Sequence, residues 1–118
     1  MIKHIKIGNF ENEILNSIKP ILAIFLGQHH DQKSQLKILH NIAQKIPEYF
    51  LKFYLLEEES TSEQTVLNIV GAPTYILVDK QQVIDKLLGQ ADEKNLLDFI
   101  IKGIPDLLFL ADTAKEER

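Results

Sequence analysis

The sequence predicts an α/β domain, one mixed sheet of about five strands with helices on its faces. Three observations carry this. Strand-like and helix-like segments alternate along most of the chain, an order that builds parallel strands joined by right-handed crossovers. The run Ile21–Leu26 is wholly apolar, as a central strand covered on both faces must be. Thr74–Val78 and Val83–Leu88 are separated by a short polar turn, so the chain closes with an antiparallel hairpin.

Ile2–Ile7 mixes apolar and polar residues as a first strand does. Gly8 and Asn9 are expected to break it, with Asn9 capping a helix whose apolar stripe is Phe10, Ile14, Leu15 and Ile18. Pro20 is expected to stop that helix, because it lacks an amide donor and pushes Lys19 away from helical angles. Gly27 ends the second strand, and Asp31 stands where it would cap a helix reaching about Ile46. That helix presents Leu36, Leu39, Ile42, Ala43 and Ile46 on one face, and Pro47 terminates it. Tyr49–Leu56, rich in aromatics and leucine, reads as the third strand. Beyond the acidic Glu57–Glu59, a short helix with Val66, Leu67, Ile69 and Val70 is expected. Either Ser62 caps it, or Ser60 does so with Glu63 in a capping box, and Gly71 closes it. The hairpin turns at Lys80–Gln82 and ends at Gly89. Asp92 caps a last helix carrying Leu96, Leu97, Phe99, Ile100 and Ile101. Gly103 interrupts it, and Pro105 suits the first position of one more helical turn.

The 118 residues are expected to form a single domain, 1–118, with 103–118 as a helical extension and tail. A hydrophobic content of 45% with 25% charged residues is ordinary globular composition and argues against a disordered chain. The net charge of −4 argues against a nucleic-acid or anionic-membrane surface, since phosphate binding needs a concentrated basic face. There is no cysteine, which removes thiol catalysis, disulfides, iron–sulfur clusters and Cys-ligated zinc together. The N-terminal residues MIKHIKIGNF lack the pattern of a secretory signal, and no apolar run approaches the ~18 residues of a spanning helix. A soluble cytoplasmic protein is the expectation. No P-loop, Gly-x-Gly-x-x-Gly, HExxH or Gly-x-Ser-x-Gly motif occurs, and neither a cofactor nor a catalytic residue is assigned.

The element order, with the string Val70-Gly71-Ala72-Pro73-Thr74-Tyr75-Ile76-Leu77-Val78, resembles the thioredoxin superfamily from about Ile7 to Ile101. In that superfamily a Gly–apolar–Pro–Thr segment opens the fourth strand, and its proline is cis. Phe25 corresponds to the family's strand-ending Phe and Glu58 to a frequent acidic position. Gly89 matches the glycine after the hairpin, and Leu96, Leu97 and Phe99 match the inward side of the last helix. The resemblance therefore implies a thioredoxin-like three-layer fold. The departures bear on function. Where the family has Trp-Cys-x-x-Cys, this chain has Gly27-Gln28-His29-His30-Asp31-Gln32-Lys33, and Ile24 stands near the family's buried Asp. Thiol–disulfide exchange needs a thiolate and a leaving sulfur, so this chain cannot perform it.

What the resemblance leaves is a groove that could receive an extended peptide by strand addition. The residues expected to meet the partner are Gln28, His29, His30, Asp31, Gln32, Ala72, Pro73 and Thr74. The preferred expectation is a non-redox module that binds a protein or peptide, similar to assembly or chaperone-like factors of the superfamily. Two alternatives stay open. His29 and His30 could act in acid–base chemistry or ligate a metal, although adjacent residues rarely aim at one ion and no third ligand is visible, so no metal is assigned. The apolar strip Ile104–Leu110 either folds back on the core or offers Ile104, Leu107, Leu108 and Phe109 to a partner or a second copy.

Overall fold

A computed structural model describes residues 2–27, 32–57, 69 and 71–108. In chain order the elements are β1 (Ile2–Lys6), α1 (Ile7–Asn16), β2 (Ile21–Phe25), α2 (Gln32–Lys45), β3 (Lys52–Glu57), β4 (Thr74–Asp79), β5 (Gln82–Leu88) and α3 (Glu93–Gly103), then a 3-10 turn at Pro105–Leu107. The strands form one sheet in the order β1-β3-β2-β4-β5. β1 and β2 both run parallel to β3, while β4 runs antiparallel to β2 and to β5. The protein is thus an α/β fold with a five-stranded mixed sheet and three α-helices among the described residues.

Every residue of β2 is buried. Ile21, Ala23 and Phe25 pack on one face with Phe10 and Ile14 of α1. Leu22 and Ile24 pack on the other with Leu39 and Ile42 of α2 and Leu96 and Ile100 of α3. Period-two alternation places successive side chains on opposite faces, and an unbroken apolar run is the sequence form of a strand covered twice. At the far end of the chain, the Asp92 side chain accepts a 2.7 Å hydrogen bond from the Asn95 amide and caps α3. Lys45, in the last turn of α2, meets Glu93, in the first turn of α3, at 3.0 Å. Each charge lies at the helix end whose dipole favours it.

Several boundaries differ from the sequence reading. α1 begins at Ile7, directly after β1, and Gly8 and Asn9 lie inside it. Asn9 is therefore not its cap, and no side chain caps this helix. Burial of Ile7 together with Phe10 and Ile14 outweighs the poor helix propensity of Gly8 and Asn9. The helix ends at Asn16, before the turn where Ser17 donates to the Lys19 carbonyl. Ile18 is consequently outside the helix and 85% exposed rather than part of its stripe. The third strand starts at Lys52, not Tyr49, because the amides of Phe50 and Leu51 both donate to the Pro47 carbonyl and hold a turn there. Tyr49 stays exposed and leans on Phe50 at 4.4 Å between ring centroids. The hairpin between β4 and β5 turns on Lys80 and Gln81, both with positive φ, although neither is glycine. The helix expected over Val66–Val70 and its serine caps fall outside the described residues, Ile69 apart.

The C-terminal strip divides. Pro105 opens a 3-10 turn, Ile104 and Leu107 are buried in this chain's own core, and Leu108 is exposed. Burial thus accounts for Ile104 and Leu107 within the chain, while Phe109 lies outside the described residues. No described helix is long and apolar enough to cross a membrane.

Phe10 has no exposed surface and Ile18 is almost fully exposed. Phe10→Ala is expected to lower unfolding free energy by about 3–5 kcal/mol, and Ile18→Ala to change it by less than about 0.5 kcal/mol. Chemical denaturation monitored by circular dichroism measures both.

Candidate functional site

The three parallel strands end on the same side of the sheet, and successive helices leave that end for opposite faces, α1 to one and α2 to the other. Open α/β sheets leave a crevice at such carboxyl ends. Here a cavity of about 340 Å³ lies between the ends of β2 and β3, lined by Phe25, Leu26, Gly27 and Gln32 on one segment and Leu55, Leu56 and Glu57 on the other. Apolar side chains line it together with Gln32 and Glu57, and its exposed lining is about as polar as it is apolar.

Gly27 turns the chain out of β2 with φ +57, a conformation that favours glycine. A Cβ at this position would come within 3.0 Å of the Ala72 Cβ and 3.2 Å of the Phe25 ring. The turn therefore needs glycine twice over, for its dihedral and for the closeness of the facing loop. The Gln32 side-chain amide reaches back to donate to the Gly27 carbonyl, closing the turn from the start of α2.

The facing loop is Gly71–Thr74. Its Ala72–Pro73 peptide bond is cis. The Thr74 hydroxyl donates to the Gly71 carbonyl at 2.6 Å, and the Gly89 amide donates to the Pro73 carbonyl at 2.8 Å. The loop is thus tied both to itself and to the end of β5. Its approach to Gly27 follows from strand register, because Phe25 pairs with Thr74.

Of the residues that sequence reasoning selected, Gln32, Ala72, Pro73 and Thr74 converge on this end of the sheet. Gln28, His29, His30 and Asp31 lie outside the described residues. Of the remaining histidines, His4 sits on β1, 3.9 Å from Glu57, and His40 lies on the exposed side of α2. Among the described residues no three of His, Asp and Glu gather as metal ligands.

Sequence reasoning missed Gln35. It is 3% exposed, and its Oε1 accepts from the Tyr75 hydroxyl at 2.6 Å and from the Ala91 amide at 3.2 Å. One side chain thereby joins the first turn of α2, the strand after the proline loop and the segment leading into α3. The signal was present: Gln35 stands one turn before Leu39 and two before Ile42, a polar residue at an apolar position of the stripe. Burial pushes the Tyr75 hydroxyl up to about 12. Tyr54, on the opposite face, is also raised to about 12, first by burial and then by its hydrogen bond to Glu13 and the nearby carboxylates of Glu13 and Glu48.

No protein-family model matches the chain, and no curated protein matches it.

An orphaned buried donor costs about 1–3 kcal/mol. Gln35→Leu orphans two, so it is expected to lower the denaturation midpoint more than Tyr75→Phe, which removes a donor outright. The tyrosines set an alkaline limit. Their folded-state values of about 12 exceed the ordinary 10.0, so their contribution is whole below pH 10 and is lost as pH rises through 12. Stability is expected to fall across that window, and less steeply in Tyr75→Phe, as denaturant melts at stepped pH would record.

Proposed function

We propose that this chain is a thioredoxin-like module that binds an extended peptide or protein segment without redox chemistry, using the carboxyl end of its sheet. The observation that carries the reading is the convergence of the Gly27 turn and the Ala72–Thr74 loop. Two segments far apart in sequence come so close there that a Cβ on Gly27 would crowd Ala72, beside a cavity lined by both apolar and polar groups. The element order, the closing antiparallel hairpin and the Gly-Ala-Pro-Thr loop at the head of β4 support the family reading. With no sulfur in the turn, what remains at this end is shape and main-chain hydrogen bonding. Recognition by strand addition uses both. No observation favours the acid–base or metal reading of His29 and His30 over this one.

A displayed library of random heptapeptides tests the reading. The wild-type chain is expected to enrich binders whose amide-shift footprint includes Gly27, Gln32, Ala72 and Thr74. Ala72→Arg, which fills the loop face, is expected to weaken the enriched peptides at least tenfold, while Ile18→Arg at an exposed site elsewhere leaves them unchanged. Absence of enrichment, or binders indifferent to Ala72→Arg in a chain shown to be folded, overturns it.

A further inference from the structure

The helix that leaves the candidate site, α2, holds Lys33, Lys37, His40 and Lys45 and no acidic residue. Lys45 is engaged by Glu93 at 3.0 Å. Lys33, Lys37 and His40 are exposed, and among the described residues none of them pairs with a carboxylate. Their spacing sets them in one stripe down the outer side of the helix. The stripe lies opposite the buried Gln35, Leu39, Ile42 and Ala43.

This arrangement works against the helix that carries it. Lys33 stands in the first turn, where the helix dipole disfavours a cation. Lys37 follows one turn later, where like charges repel. The chain as a whole is acidic, with a net charge of −4, and other described lysines sit beside carboxylates, Lys3 by Glu13 and Lys45 by Glu93. A local choice that conflicts with its own element, and that no contact offsets, points to a use outside folding.

The stripe begins at the candidate site, because Gln32, the neighbour of Lys33, lines the cavity between β2 and β3. From Lys33 to Lys37 the helix rises about 6 Å. Alternate residues of an extended chain are about 6.7 Å apart, so one extended segment can meet both lysines with every second side chain. We propose that this stripe selects the partner: the extended segment received at the carboxyl end of the sheet is acidic where it runs along α2, with carboxylates at alternate positions facing Lys33 and Lys37. The inference rests on the peptide-binding reading above and adds the chemical class of the peptide. The acidic residues gather at one end of the segment. Glu57, on the other segment lining the cavity, has the wrong charge to receive them.

The test displays the random heptapeptide library against the wild-type chain and against Lys33→Gln/Lys37→Gln. Wild type is expected to enrich peptides with Asp or Glu at alternate positions near one end, and their amide-shift footprint is expected to extend from Gly27 and Ala72 to Lys33 and Lys37. The double variant is expected to lose that acidic bias. For one enriched peptide, the analogue with carboxamides in place of carboxylates is expected to bind wild type about fivefold more weakly at low salt, since exposed ion pairs are each worth little. The difference is expected to shrink at high salt and to vanish in the double variant. Lys102→Gln, which removes an exposed charge from α3, is expected to keep the bias. The double variant is expected to melt no lower than wild type, because it relieves a like-charge pair, which separates recognition from a structural role. Binders at Gly27–Ala72 without an acidic bias, a bias that survives in the double variant, or displacement of the acidic peptides by a single-stranded oligonucleotide would each overturn the proposal and leave peptide binding at this end standing. No enrichment at all overturns both.

Discussion

The fold depends on β2 being satisfied in four directions at once. Its backbone is laddered to β3 on one side and β4 on the other, and its two faces are sealed by different helices. Such a strand has no freedom of register. A slip by one residue would exchange its two apolar faces and move Phe25 away from Thr74. Both ends are held as well. The Pro20 carbonyl before it accepts from Lys52 at 2.9 Å, and the Gly27 turn after it fits against Ala72. The convergence at the carboxyl end of the sheet is thus a product of the strand's register, not of any direct attraction between the two loops.

Below that end, buried polar contacts tie separate elements together. Gln35 is the clearest case. A hydrophobe at this position would pack as well against Leu39, but it could not receive the Tyr75 hydroxyl and the Ala91 amide together. In a low-dielectric interior, a satisfied polar group fixes relative position more sharply than apolar packing does. The loop Gly71–Thr74 is held by the same means, through Thr74 and Gly89. The end of the sheet that we read as a recognition surface therefore stands on a scaffold with defined geometry.

Legibility in the sequence followed the range of the forces involved. Ile21–Phe25, Thr74–Asp79 and the Asp92 cap could be read because burial pattern and capping are written in neighbouring residues. The start of α1 could not, because local propensity at Gly8 and Asn9 pointed one way and the burial of Ile7 on the sheet pointed the other. Ile18 and Tyr49 misled for the reverse reason. Each continues an apolar or aromatic pattern past the point where a turn, at Ser17 or at Pro47, has already redirected the chain. At the candidate site, Gln32 and Ala72–Thr74 were legible through the resemblance. Gln35 was marked by its place in the apolar stripe of α2, but its partners required knowing which strand α2 lies against, and the approach of Gly27 to Ala72 required the β2–β4 register.

The sheet also acts as a partition. Side chains on the α1 face and on the α2–α3 face form two separate apolar clusters with the strand backbones between them. Substitutions more than about 7–10 Å apart with no shared neighbours tend to combine additively. Volume lost beside Phe10 therefore need not be made good beside Leu39, and each cluster can drift in composition without compensating change in the other. The peptide ladders of the sheet, which carry no side-chain identity, are what both halves must hold in common.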